Sequence, residues 1–460
     1  MSAVIEPTAG KPSGARAALT VGHAGRAIAF DAQGAITLDR FVCEVRGVAA
    51  GLPDARHAIN LCEDRYRFLV AFCAAALRGQ TTLLPPSRAP AVVDEVLAQH
   101  ADAYCLGDGP SRCGDVGAPP PHYWQLPETL PQRDGAALEI DDDLLIAIGF
   151  TSGSTGRPKA NPKSWAAFRA STRQNLAALA DLLGADAVTP LVATVPPQHM
   201  YGLEMSVLLP LLGNIAVHGA RPFFPDDVAC ALRAAASAPL LVTTPVHLRA
   251  LVEARVALPP LRGILSATAP LAPELARVAE QRFGCEVREL FGSTETCVIA
   301  RRRTANETAW TPLPGVRLAP QPDGTAVHAP HLPQPVVLAD LMEVHADGSF
   351  ELRGRNADLL EIAGKRASLG DLTRKLLAVP GVIDGVVFQL DTCARTGVGR
   401  IAALAVAPSL DEATILAALR EHVDPVFLPR PLRCVEALPR NETGKLPRAD
   451  LAAMLRGAGL

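Results

Sequence analysis

The sequence predicts an α/β protein with a layered, largely parallel sheet, and three features of its patterning carry that expectation. From about residue 140 to 291, short apolar runs alternate with helical periodicity, the rhythm of strands joined by crossover helices. A similar rhythm occupies roughly residues 25 to 130. Composition then turns to Pro, Gly and Val between Trp310 and Phe350, as for short antiparallel strands, and a compact mixed unit follows from Arg355 onward.

Taken in order, Ala58–Cys62 reads as a strand, Tyr66–Leu77 as a helix and Thr81–Leu84 as a strand. Residues 108–135 are rich in Pro and Gly and predict a long surface excursion. Leu144–Phe150 reads as a strand and Ser164–Leu183 as a helix. Leu191–Val195 and Ile215–His218 follow as strands, with Met205–Leu212 between them. Asp226–Ala236 is helical, Leu240–Thr244 extended and Val246–Ala254 helical again. Leu261–Ala267, Pro273–Phe283 and Glu286–Phe291 repeat strand, helix and strand. In such sheets ligands gather outside the carboxyl ends of strands, and both Thr151 and Gly292 fall just after one.

The 460 residues leave room for two or three domain-sized units, and 49% apolar with 20% charged content can bury large cores. A net charge of −3 without a basic tail excludes a general nucleic-acid binder. Arg301–Arg303, the densest basic cluster, reads as a solvated turn. Met1–Gly22 has no apolar h-region and reads as a floppy leader rather than a signal peptide. The longest apolar stretch, Met205–Val217, is interrupted by Pro210, Gly213 and Asn214 and is too short to span a bilayer. A cytoplasmic location is the expectation. Ten scattered cysteines without a Cys-x-x-Cys pair indicate neither a disulfide scaffold nor a zinc site, and read as small buried residues.

Chemistry is concentrated in four segments. Thr151-Ser-Gly-Ser-Thr-Gly-Arg-Pro-Lys159 follows a strand directly. Its glycines let backbone N–H groups face an anion, its hydroxyls donate, and Lys159 adds charge. The lysine comes three residues after Gly156, so this is not the Walker spacing, and taken alone the loop could be a plain turn. The others are Glu289-Leu-Phe-Gly-Ser-Thr-Glu-Thr296, Asp340 followed by Arg355 within Gly354–Arg366, and Pro439-Arg-Asn-Glu-Thr-Gly-Lys-Leu-Pro-Arg448. Each also has a bland reading. Glu295 after Gly-Ser-Thr could cap the first turn of a helix, Asp340 could be a turn aspartate, and Lys445 an exposed loop lysine.

In this order, over about residues 55 to 451, the four segments resemble the core motifs of the acyl-adenylate-forming superfamily of acyl- and aryl-CoA synthetases and carrier-protein-loading ligases. The resemblance implies a large domain, residues 1–354, with layered sheets and a β-barrel-like part, and a small mobile α+β domain, residues 355–460. It implies activation of a carboxylic acid with ATP and Mg²⁺, and transfer to a phosphopantetheine thiol of CoA or an acyl carrier protein. Thr151, Ser152, Gly153, Ser154, Thr155, Gly156 and Lys159 would hold the β- and γ-phosphates. Phe291 and Gly292 would lie beside the adenine, as would Ala267 in the Ser266–Leu271 loop. Thr294 would contact the α-phosphate and Glu295 would position Mg²⁺. Asp340, assisted by Arg355, would bind the ribose, and Lys445 would bridge the acid and the α-phosphate.

His199, in Pro196-Pro-Gln-His-Met-Tyr-Gly-Leu-Glu204, would border the acyl site and gate thiol entry, or would be a structural histidine. A hinge is expected near Asn356–Asp358. There Ala357 departs from the family's usual Asp or Lys, and Ala339 stands where glycine is common. The region after the phosphate loop offers Glu204 but no aspartate to pair an α-ammonium, which disfavours an amino acid. Met200, Tyr201, Leu203, Met205 and Val207 suit an aryl or medium acyl carboxylate. Asn60–Phe68 and Gly79–Pro86 resemble stand-alone AMP-ligases of bacterial fatty-acid-like or aryl-polyene assembly lines. A ligase with a non-thiol acceptor and an inactive nucleotide-binding regulator are the alternatives.

Overall fold

A computed structural model describes residues 14–109, 122–152, 158–184, 187–254, 256–322, 324–355, 359–362, 365–390, 401–440 and 446–457. Gly153, Ser154, Thr155, Gly156, Lys445 and the expected hinge at Asn356–Asp358 lie outside the described residues.

Two sheets dominate. A six-stranded sheet runs Pro158–Ser164, Leu145–Ser152, Thr81–Leu84, His57–Asn60, Ala103–Gly107, Tyr123–Gln125, parallel except for the hairpin at its first edge. A nine-stranded sheet has a parallel centre of Val287–Ser293, Gly263–Ser266, Leu240–Thr243, Thr189–Ala193, Ile215–His218 and Ala27–Asp31, with antiparallel strands at both margins. The central strands are buried on both faces, so they read as continuous apolar runs rather than alternating ones.

Helix starts are chemically marked. Asp64 accepts from Arg67 N to cap Arg65–Leu77, Ser164 caps Trp165–Ala178, and Thr244 caps Pro245–Glu253 with proline at its first position. The segment expected at Met205–Leu212 begins earlier, at Met200. His199 caps it, and its middle, Glu204–Leu208, is a π-helix. Hydrophobic residues from Ala367 onward pack in two clusters of their own, around the antiparallel pair Asp384–Gln389 and Ile401–Val406.

Five expectations need correction. The segment Arg16–Ala18 is not a loose leader, because it pairs with Glu139–Asp141 and delivers the fully buried Leu19 to the core. The excursion at 108–135 returns as the strand Tyr123–Gln125 and buries Leu126 and Leu130. The strands of Arg317–Arg355 form separate small sheets, and no closed barrel is present among the described residues. Arg301 and Arg302 close the strand Cys297–Arg302 instead of forming a turn, and the basic cluster is ion-paired. Arg302 pairs with Glu289 and lies over the Trp310 ring, and Arg303 pairs with Glu280. Of the eight cysteines described, only four are fully buried.

Candidate active site

The hairpin Leu145–Ser152 and Pro158–Ser164 places Ser152 opposite Pro158 and Thr151 opposite Lys159, on either side of residues 153–157. Thr151 is thus the penultimate residue of a strand rather than the first of a loop. Asn161 faces Gly149 and Lys163 faces Ala147. With a side-chain period of two, Lys159, Asn161 and Lys163 share one face of the hairpin with Thr151 and Gly149. Lys159 is exposed at the loop end, whereas Asn161 and Lys163 are buried.

A second turn lies across that face. Val287–Ser293 and Cys297–Arg302 are antiparallel, with Thr294, Glu295 and Thr296 between them. Glu295 therefore caps no helix. Gly292 lies inside the strand beside a bulge, and a Cβ there would come within 2.2 Å of Cys297 O. Ser293 and Thr296 exchange side-chain and backbone hydrogen bonds, and Cys297 takes φ 59°, a strained value for a non-glycine residue. The turn comes close because residue 149 is glycine. A Cβ there would lie 2.7 Å from Thr294 Cγ2 and 3.0 Å from Met200 Cε.

Buried polar side chains hold this turn from below. Lys163 Nζ donates to Glu295 O at 2.6 Å, and His331 Nε2 lies 2.6 Å from Thr296 O while its Nδ1 is 2.6 Å from Gln174 Oε1. Both carboxylate oxygens of Glu204 accept from Val298 N at 3.1 Å, and Oε1 also accepts from Ser171 and Asn175. Burial raises the Glu204 pKa, opposed by those donors and by the charge of Lys163, and burial lowers that of His331. From the loop side, Thr151 Oγ1 donates to Glu295 Oε1 at 3.4 Å. Thr151, Thr294 and Glu295 thus converge with Met200, next to His199.

Phe291 projects from the same strand into an aromatic group, 5.4 Å from the Trp310 ring and 6.1 Å from that of Phe350. Ala267 follows the neighbouring strand, and the adjacent Thr268 adopts φ 80°. Glu289 ties the two together by accepting from Leu271 N and from Arg302. Asp340 is no turn residue. It opens the strand Asp340–Val344 directly opposite Arg355, at the end of Phe350–Arg355. Thr325 donates to Asp340 O at 2.8 Å and fixes that backbone. His199 accepts from Tyr201 N at 3.3 Å, so a structural duty is assigned to it.

Sequence reasoning missed Lys163, Asn161, Gln174 and His331. One signal was available, a lysine four residues beyond Lys159 on the same strand face. A resident metal would need several hard ligands, and no group of three or more His, Cys, Asp or Glu suited to a metal occurs among the described residues. The Glu295 carboxylate beside the Thr151 hydroxyl offers hard oxygen ligands of the kind Mg²⁺ takes.

Comparison with known proteins identifies the family. The AMP-binding enzyme family model matches residues 50–321, more than half of the chain. The 4-coumarate--CoA ligase of Rhodobacter capsulatus is 31% identical over 304 residues, 65% of this chain and 74% of that one. The fatty acid--[acyl-carrier-protein] ligase MmaC of Mycobacterium marinum is 24% identical, over 74% of this chain and 73% of its own. ATP-bound MatB from Rhodopseudomonas palustris shares the fold, with a TM-score of 0.79 at 20% identity, covering 95% of this chain and 97% of that one. No helix among the described residues is long and apolar enough to cross a membrane. The chain belongs to the AMP-binding enzyme family and is an ATP-dependent, AMP-forming acid–thiol ligase.

Proposed function

We propose that the chain activates an aryl or fatty carboxylic acid and passes the acyl group to a phosphopantetheine thiol, of CoA or of an acyl carrier protein. The observation that carries this reading is the convergence of Thr151, Thr294 and Glu295 on one face of the hairpin. A carboxylate oxygen attacks the α-phosphorus of ATP, the bond to the bridging oxygen breaks, and pyrophosphate leaves. The thiol then attacks the acyl carbonyl, loses its proton and displaces AMP. The difficulty of the first step is that one anion must approach another, so donors and cations aimed at the phosphates lower the barrier. Lys159 and the 151–156 loop serve the β- and γ-phosphates, Thr294 the α-phosphate, and Asp340 with Arg355 the ribose. Phe291, Gly292 and Ala267 flank the adenine, and Glu295 would hold Mg²⁺, which supplies positive charge to the phosphates. Lys445, on the 355–460 unit, meets the acid and the α-phosphate. His199 borders the acyl site while capping its helix.

Glu204 supports the substrate class. Its carboxylate is fully engaged by Val298, Ser171 and Asn175, which leaves it unsuited to an α-ammonium, and the surrounding Met200, Leu203, Met205 and Val207 are buried and apolar. The test is pyrophosphate exchange with purified protein, ATP and Mg²⁺ against a library of acids, followed by CoA or a phosphopantetheinylated carrier as acceptor. Aryl or medium-chain acids should stimulate exchange and α-amino acids should not. Exchange driven chiefly by amino acids would overturn the substrate class.

A further inference from the structure

Lys163 is 6% exposed, and a buried ammonium is expensive unless something compensates it. Its amino group donates not to a carboxylate but to a backbone carbonyl, that of Glu295, at 2.6 Å. The next carbonyl along, Thr296 O, faces His331 Nε2 at the same distance. Glu204 then takes Val298 N on both oxygens. Three buried ionisable side chains, from three separate parts of the chain, thus hold consecutive peptide groups of the turn that presents Thr294 and Glu295. Of the three, only Lys163 belongs to the hairpin that carries Thr151 and Lys159 at its far end.

We infer that Lys163 is a positioning residue for adenylation, a strut that fixes the Glu295 turn against the phosphate-loop hairpin so that the two halves of the nucleotide site keep one spacing. The inference rests on the reading of Glu295 given above. The physical need is plain. A carboxylate that meets a metal–phosphate complex must be held to within a fraction of an ångström, and supporting contacts of this kind typically carry about 10- to 100-fold in metal affinity or activity. Thr151 alone is a weak link, at 3.4 Å from Glu295 Oε1. Asn161, on the same face, stiffens the hairpin by donating to Lys159 O and Gly149 O.

The experiment compares Lys163→Met, Lys163→Gln and Lys163→Arg in the full-length protein. In acid-dependent pyrophosphate exchange, Lys163→Met should raise the Mg²⁺ and ATP concentrations for half-maximal rate by about tenfold or more. KM for the acid should stay within about twofold, and thioester formation from supplied acyl-AMP should be unaffected. Lys163→Arg, which keeps a cationic donor, should recover most of the loss. A merely structural role would lower kcat in every assay without moving the Mg²⁺ requirement, and that pattern would overturn the inference. So would failure of both Lys163→Met and Lys163→Gln to fold, which would assign Lys163 to the core. Glu295→Gln runs in parallel to separate the two readings. Wild-type exchange in that variant defeats the role of the turn itself, whereas its loss beside a normal Lys163→Met defeats only the strut.

Discussion

Glycine at 149 does its work by absence. Any side chain there meets Thr294 Cγ2 at 2.7 Å and Met200 Cε at 3.0 Å, and neither can withdraw easily, because one sits on a braced turn and the other is 5% exposed. Overpacking of this kind costs about 1–3 kcal/mol. Gly149→Ala is therefore expected to lower stability by that order and to slow pyrophosphate exchange by about tenfold, as Thr294 is pushed off the position proposed for it at the α-phosphate. Gly109→Ala, where an added Cβ meets nothing within 4 Å, is the control and should match the wild type in exchange rate and urea midpoint. Equal behaviour of the two variants would remove the close approach of Thr294 from the account.

Among elements, those with a strong local period were legible and those defined by their partners were not. Ile215–His218 and Thr81–Leu84 were readable from apolar runs bounded by turn residues, and Pro273–Phe283 from its helical period and from Gly284, which ends it in the left-handed conformation. The strand Pro158–Ser164 carries the sequence Pro-Lys-Ala-Asn-Pro-Lys-Ser, which has no alternation to detect. It is a strand because the chain returns alongside Leu145–Ser152. For the same reason Lys163 has no place on a sheet that the sequence alone could assign. A shared role for Asp340 and Arg355 was legible as a resemblance but their pairing was not legible as geometry, since the fourteen residues between them say nothing of register. That register yields a prediction. Asp340→Ala should weaken ATP binding by about tenfold, the scale of losing hydrogen bonds to a charged group, while KM for the acid is unchanged. Unaltered ATP affinity by calorimetry would refute the ribose contact.

At the scale of the whole molecule, the layered α/β class was legible because alternation at two different periods persists over many elements, whereas closure of a barrel depends on contacts that no local pattern encodes. The same global packing sets how the protein responds to acid. His57, His100, His218, His247 and His331 all have pKa values pushed down, chiefly by burial, and His247 falls to about 4. His247 is 9% exposed, 2.8 Å from Thr194 Oγ1, with the Phe223 ring against it. The unfolded chain binds its histidine protons near the ordinary value of about 6.5, so between pH 6.5 and 4 it takes up a proton that the folded protein refuses. Stability from this source is fully retained above pH 6.5 and falls as pH drops through the window, by about 2 kcal/mol at pH 5 for His247 alone. Glu204 and Asp64, whose carboxyls burial holds above their usual range, act in the opposite sense and blunt the slope. Urea unfolding from pH 7.5 to 4.5 should therefore show a falling free energy for the wild type and a shallower fall for His247→Gln, which keeps a hydrogen-bonding group near Thr194. The difference between the two curves isolates His247 from every other titrating group, and parallel curves would show that its proton affinity is the same in the folded and unfolded chain.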